Sequence, residues 1–256
     1  MSTRKPIALQ LYTVRRESAN DFQGVLRRVA DIGYVGVEGS LDFFADEQKD
    51  RLQCIRDLGL QLPSCGIKLP IDERSRQLLE RAAEGGCQYV MLSIMPEQFQ
   101  SIESIKAVAE RLNEAAEITS RAGLTLCYHN HWWEFENQFG GRSAHEILRE
   151  HTEPTVSFEV DVYWTQTGGA DPVAEVKKLG ARAPLLHIKD GPAVKGQPMT
   201  AAGEGSVDLA GVIEASQAHA RWLIVELDEC ATDMLEAVEK SYTYLVTKGL
   251  AYGNKG

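Results

Sequence analysis

The stretch Arg121-Ala-Gly-Leu-Thr-Leu-Cys-Tyr-His-Asn-His-Trp-Trp-Glu-Phe135 carries the reading that decides the fold. Its first three residues end a helix, because a glycine just past the last turn takes the left-handed conformation that closes it. Leu124–Tyr128 is then a short, apolar, β-favouring run that stops abruptly at His129, Asn130 and His131. Two imidazoles followed by Glu134, placed where a strand ends, cost stability unless they bind something or are paired.

The same helix–glycine–strand junction recurs outward in both directions. Val29-Ala-Asp-Ile-Gly33 precedes Tyr34–Glu38, Arg56-Asp-Leu-Gly59 precedes Leu60–Ser64, and Ala83-Glu-Gly-Gly86 precedes Cys87–Leu92. Lys178-Leu-Gly180 precedes Ala183–His187. The helices are amphipathic: Phe22, Val25, Leu26 and Val29 share one face, as do Ile105, Val108, Ala109 and Leu112. Ile7–Leu9, Val90–Leu92 and Leu223–Val225 are continuous apolar runs, the pattern of parallel strands buried on both faces.

Eight strands are predicted near residues 6–12, 34–38, 61–66, 88–94, 124–131, 156–161, 183–188 and 222–227, each followed by a helix, the last through Met234 to Leu245. Nothing like a linker divides the chain, and 256 residues supply about 32 per unit. The expectation is an α/β protein with one (β/α)8 barrel domain over residues 1–256. A doubly wound open sheet is the alternative. It is weakened because Gln10-Leu-Tyr-Thr-Val-Arg15 stands where a glycine-rich turn would follow the first strand.

Composition excludes several classes. A formal net charge of −10 argues against a nucleic-acid surface. No stretch is long and apolar enough to span a membrane, and the first residues lack the apolar core of a signal peptide, so a cytoplasmic protein is expected. Five scattered cysteines without CxxC spacing read as reduced thiols.

In a barrel the active site gathers at the C-terminal strand ends. Strands five to eight end at His129/His131, Asp161, His187 and Glu226, separated by steps of 32, 26 and 39 residues, about one βα unit each. Two imidazoles and two carboxylates form a ligand set for a divalent metal, with Mn²⁺ or Co²⁺ favoured over Mg²⁺ or Zn²⁺. Each residue also has a plainer reading: His187 as a satisfied core histidine, Asp161 as a helix cap, Glu226 as a solvated rim carboxylate. The recurrence on four consecutive strands favours metal.

The chain resembles the sugar phosphate isomerase/epimerase group of the xylose-isomerase-like TIM barrels, which includes inosose dehydratase, ketose 3-epimerases and, more distantly, endonuclease IV. Leu9–Arg15, Gly33–Glu38, Tyr128–Phe135, Asp161–Trp164, His187–Asp190, Gly203–Gly205 and Val225–Asp228 carry the resemblance over nearly the whole chain. It implies a metal held by Glu, Asp, His and Glu from strands five to eight. The last three fall on Asp161, His187 and Glu226, while the first glutamate falls on His129, a departure that leaves His131 and Glu134 as competing ligands.

The resemblance further implies proton transfer next to a carbonyl through a metal-stabilised enediolate. Glu226 would be ligand and acid/base, Glu134 a second carboxylate, His131 a shuttle and Lys189 an oxyanion partner, unless Lys189 pairs with Asp190 or Glu204. Trp132, Trp133 and Trp164 fit the walls of a carbohydrate pocket, with at least one of them open to packing into the barrel instead, and Gln10, Tyr12 and Glu38 fit hydroxyl binding. Without a phosphate loop, a neutral sugar, polyol or keto-glycoside is the expected small-molecule partner; a homo-oligomer is compatible with the sequence. A sugar or polyol isomerase/epimerase is the leading reading. A dehydratase or lyase on a keto-sugar or inosose follows it, then a non-catalytic sugar-binding barrel and a repair endonuclease.

Overall fold

The computed structural model describes residues 4–255. Eight parallel strands alternate with helices: β1 (Lys5–Gln10), β2 (Gly36–Ser40), β3 (Ser64–Gly66), β4 (Tyr89–Leu92), β5 (Thr125–His129), β6 (Ser157–Asp161), β7 (Leu185–Ile188) and β8 (Trp222–Val225). The sheet closes because Ile7, Ala8 and Leu9 of β1 lie beside Leu223, Ile224 and Val225 of β8. The barrel expectation holds. The principal helices are α1 (Arg15–Ile32), α2 (Lys49–Asp57), α3 (Glu73–Glu84), α4 (Ile102–Arg121), α5 (Ala144–His151), α6 (Pro172–Leu179), α7 (Leu209–Ser216) and α8 (Met234–Thr247).

Helix boundaries follow side-chain capping, which supplies acceptors to otherwise orphaned first-turn amides. Asp72, Ser101, Ser143, Asp171, Asp208 and Asp233 each accept such a bond. Helix α1 is broken within: Asp21 has φ −146° and ψ 79°, and its Oδ1 accepts from the Gly24 amide at 2.8 Å. Arg15–Asn20 therefore forms a separate short turn ahead of the amphipathic body.

Strand periodicity stacks the barrel interior in layers, since residues two apart point the same way. Ala8, Cys127, Leu185 and Ile224 belong to one small apolar cluster, with Trp222 and Val35. Two residues along those strands stand Gln10, His129, His187 and Glu226, all buried. The larger core lies between strands and helices. No described helix is long and apolar enough to cross a membrane.

Two departures from the expected elements bear on the site. The first strand stops at Gln10 instead of continuing to Tyr12, because the Gln10 Oε1 accepts from the Tyr12 amide at 3.1 Å and opens a turn. A helix, Val162–Thr167, begins directly after Asp161, although the first helix signal in the sequence beyond that strand is Asp171-Pro172.

The loop after β7 is held by Asp190. Its carboxylate accepts from the amides of Gly191, Gly203, Gly205 and Val207 at 2.9–3.1 Å. A Cβ on Gly205 would stand 2.1 Å from Asp190 Oδ1, which explains the glycine.

Candidate metal centre

The ends of β5 to β8 bring His129, Asp161, His187 and Glu226 together. One ligand atom from each lies within 4.8 Å of the others, and all four residues are buried. His187 Nδ1 is 2.6 Å from Glu226 Oε2, and His129 Nε2 is 3.9 Å from Asp161 Oδ2. Asp161 divides its work: Oδ1 caps the following helix at the Trp164 amide, 2.8 Å away, while Oδ2 turns to the cluster. The residue thus caps a helix with one oxygen and joins the cluster with the other.

Beneath the cluster lie two carboxylates that strand-end reading passed over in this role. Glu159 Oε2 is 3.6 Å from His129 Nδ1 and 3.3 Å from His187 Nε2, while Glu38 Oε1 is 2.8 Å from His187 Nε2. Both glutamates are fully buried. Each imidazole thus turns one nitrogen down toward carboxylate and the other up into the cluster, the arrangement that fixes ring orientation in metal-binding histidines. Glu159 sits two residues before Asp161 on the same strand, so period two was the available signal. Two carboxyl groups, Glu38 and Glu159, thus stand one layer below the histidine that ends β5.

The charge balance is strained. Burial, then the neighbouring Glu38, pushes Glu159 up to about 8. Burial pushes Asp161 up to about 6 against the pull of Lys189. For Glu226, burial acts upward too, but Lys189 and His187 overcome it and hold the carboxyl well below its usual range. Burial and the His187 charge keep His129 neutral. Lys189, fully buried, places Nζ 2.7 Å from Glu226, 2.9 Å from Asp161 and 2.9 Å from Asp228. Its partners are these three, not Asp190, which holds the loop, or Glu204, which pairs with Lys240.

The donors fit a divalent cation. Asp161 Oδ2, His187 Nδ1 and Glu226 Oε2 are buried without a directed hydrogen bond; the Lys189 ammonium meets the two oxygens, and a cation would give all three atoms a shared partner. Two imidazole nitrogens and two carboxylates form a donor set that a divalent cation accepts.

The competing residues of the 129–134 stretch lie elsewhere. Glu134 is fully buried, bonded by the Tyr128 hydroxyl at 2.5 Å and the His131 amide at 2.9 Å. It is in neither the cluster nor the wall of the cavity above it. The His131 ring stacks on Trp133, centroids 4.2 Å apart. Burial drops it to about 3, which favours the neutral ring. Asn130 faces away and mends the β5–β6 seam, accepting from the Asp161 amide and donating to the Asp161 carbonyl.

A cavity of about 450 Å³ opens over the cluster, with His129, His131, Glu226 and Asp228 on one side and Gln10, Tyr12, Ser40, Lys68 and Ser93 on the other. Lys68 and Ser93 follow β3 and β4 and were missed. Gln10 corrects in part: its amide donates to Glu38 at 2.5 Å and accepts from Tyr12, so little of it is free for a hydroxyl. Trp132 packs on Trp164 at 4.6 Å, and Trp164 lies 5.5 Å from the Lys189 ammonium, but neither lines this cavity, and Trp133 is buried.

The family model for the xylose isomerase-like TIM barrel matches residues 26–244. The chain belongs to that family. Among solved structures, this barrel is similar to a sugar phosphate isomerase/epimerase from Parabacteroides distasonis, at 25% identity and TM-score 0.80 over 98% of this chain and 96% of that one. It is also similar to a probable 3-DHS dehydratase from Bacillus anthracis, with 16% identity, TM-score 0.71 and coverage of 94% and 98%. A third similar structure is a 3-keto-D-glucoside 4-epimerase from E. coli, with 16% identity, TM-score 0.69 and coverage of 95% and 100%. No protein of curated function matches the chain in sequence. The neighbours of this xylose isomerase-like barrel are thus sugar isomerases and epimerases together with a dehydratase.

Proposed function

We propose that this barrel is a metal-dependent enzyme of carbohydrate chemistry that moves a proton on the carbon next to a carbonyl, as an isomerase or epimerase. The observation that carries this reading is the buried His129, Asp161, His187 and Glu226 grouping below a cavity of about 450 Å³, enough for a sugar.

A divalent ion held by those four residues would supply positive charge to adjacent substrate oxygens and so stabilise an enediolate. The protein groups do the rest. Glu226, kept ionised by Lys189 and His187, is the base that takes the α-proton. Asp228 lines the same cavity and is half-exposed, so it is the better second acid/base than Glu134. Lys189 positions both carboxylates and offsets their charge. His131 stays neutral and presents Nε2 to a hydroxyl, its Nδ1 being buried. Trp132 and Trp164 shield Lys189 from water at the rim.

A lyase reading shares the first step, followed by loss of a β-substituent. Its support is the dehydratase among the structural neighbours. Incubation with keto-sugars in deuterated water after Mn²⁺ or Co²⁺ loading tests both: α-carbon exchange is expected, and no exchange on any ketose or inosose removes them together. Loss of water or of an aglycone, seen by mass, selects the lyase. Less than one metal per chain after loading would favour a non-catalytic sugar-binding barrel.

A further inference from the structure

A second cavity of about 400 Å³ adjoins the one over the cluster and shares four wall residues with it: Gln10, Tyr12, Gly39 and Ser40. Its far wall differs in chemistry. Phe22 and Phe43 meet edge to face at 5.9 Å, and the Arg51 guanidinium lies 4.7 Å from the Phe22 centroid and 5.9 Å from that of Phe43. On the near side the Arg15 guanidinium stacks on Tyr12 at 4.0 Å. Ser18, also in the wall, has a hydroxyl with no hydrogen-bond partner. The outer wall exists because Asp21 breaks α1, which sets the Arg15–Asn20 turn beside the cavity.

These walls do not suit a second sugar. Gln10, the amide at the junction, is already committed to Glu38 and the Tyr12 amide, which leaves few directed partners for a ring of hydroxyls. Aromatic faces and guanidinium planes instead favour a flat π-system that carries an acceptor oxygen. Among the described residues Arg51 forms no ion pair with a carboxylate, so its charge is available to such a group. The volume holds one ring system of about the size of the neighbouring sugar.

We infer that this second compartment binds an aromatic aglycone bearing a carboxylate or phenolic oxygen, so that the substrate is an aryl glycoside with its sugar over the cluster. The inference rests on the carbohydrate reading for the first compartment. It adds that the non-reacting half of the substrate sits between Tyr12, Phe22, Phe43 and Arg51.

Calorimetry of the full chain with two unreactive probes tests it: 4-carboxyphenyl β-D-glucopyranoside and methyl β-D-glucopyranoside. The aryl probe should bind at least about tenfold tighter, as one desolvated aromatic and cationic contact supplies. Arg51→Ala and Ala19→Trp, both at exposed positions, should each erase most of that preference, with circular dichroism confirming the fold. Equal affinities for the two probes, including no binding of either at millimolar concentration, overturn the inference. An aryl preference unchanged in both variants overturns it too. Deuterium exchange reports the reaction separately. Aryl-selective binding without exchange on any keto-sugar keeps the compartment and removes the reaction. Exchange on free keto-sugars without aryl preference does the reverse.

Discussion

Nε2 of His187 and Oε1 of Glu38 stand 2.8 Å apart, on the side of the ring that faces away from Glu226. A nitrogen that donates to a buried carboxylate fixes the ring, and Nδ1, which the surrounding glutamates keep protonated in the metal-free protein, would give up its proton to a cation between Asp161 and Glu226. Glu38→Gln should therefore weaken Mn²⁺ or Co²⁺ binding about 10–100-fold while the fold persists. Calorimetric titration of metal into the metal-free protein checks this, and an unchanged affinity would detach Glu38 from the centre.

Glu226→Gln keeps the shape of the side chain but removes the charge and the base. Turnover should fall by about 10²–10⁴-fold with circular dichroism and Tm near those of the parent protein. Near-normal exchange of the substrate α-proton would take Glu226 out of the mechanism.

Among the described residues Lys189 is the one ammonium in contact with Asp161, Glu226 and Asp228. Lys189→Met leaves buried carboxylates uncompensated, so the metal-free protein should lose roughly 3–5 kcal/mol in urea unfolding. Added Mn²⁺ should recover part of that loss, because it binds only the folded state. A loss well under 1 kcal/mol (about a fivefold change in the folding constant) would show that the carboxylates take up protons instead.

The buried Glu134 supplies a pH test. Burial pushes its carboxyl up to about 8, against the Tyr128 and His131 hydrogen bonds that favour ionisation. The folded state then binds this proton more tightly than the unfolded chain, where the ordinary value is 4.5. Between those values the folded state holds more protons, so this group makes stability fall as pH rises, with no further change above about 8. Glu134→Gln removes that slope. The Tm of the variant minus that of the parent should grow from pH 4.5 to 8, and a difference constant over the window would refute the raised value.

Gly205→Ala puts a Cβ 2.1 Å from both Asp190 Oδ1 and the Gly191 nitrogen. The loop has to open, so limited proteolysis should cut near residues 203–207 faster in the variant, at a cost of about 1–3 kcal/mol in stability. An unchanged cleavage rate would show that the Asp190 bonds are dispensable.

The barrel was legible because its signals are local: glycine at helix ends, apolar runs for buried strands, one unit repeated. Asp161, His187 and Glu226 were legible because they end strands in step. Glu159 was not, since it lies within a strand, where a carboxylate has no local reason to be. Only the pairing of β5, β6 and β7 puts it under two imidazoles. Glu38 was visible, but its partner lies 149 residues away, beyond any pattern of spacing. Glu134 misled because a carboxylate near a strand end can face the cavity or the loop. Tyr128, whose side chain points out of the barrel, draws it outward. The helix after Asp161 was hidden because Val, Tyr and Trp are weak helix formers.

Lys189 and Asp190 are consecutive, oppositely charged and pointed to opposite sides of one strand end, the first among three carboxylates and the second among four amides. A slip of β7 by one residue would exchange them, driving an ammonium into a nest of amide donors and a carboxylate into a cluster of its own sign. The pair therefore acts as an alignment key: misthreaded barrels pay twice for the error, and only one threading of the seventh strand satisfies both charges.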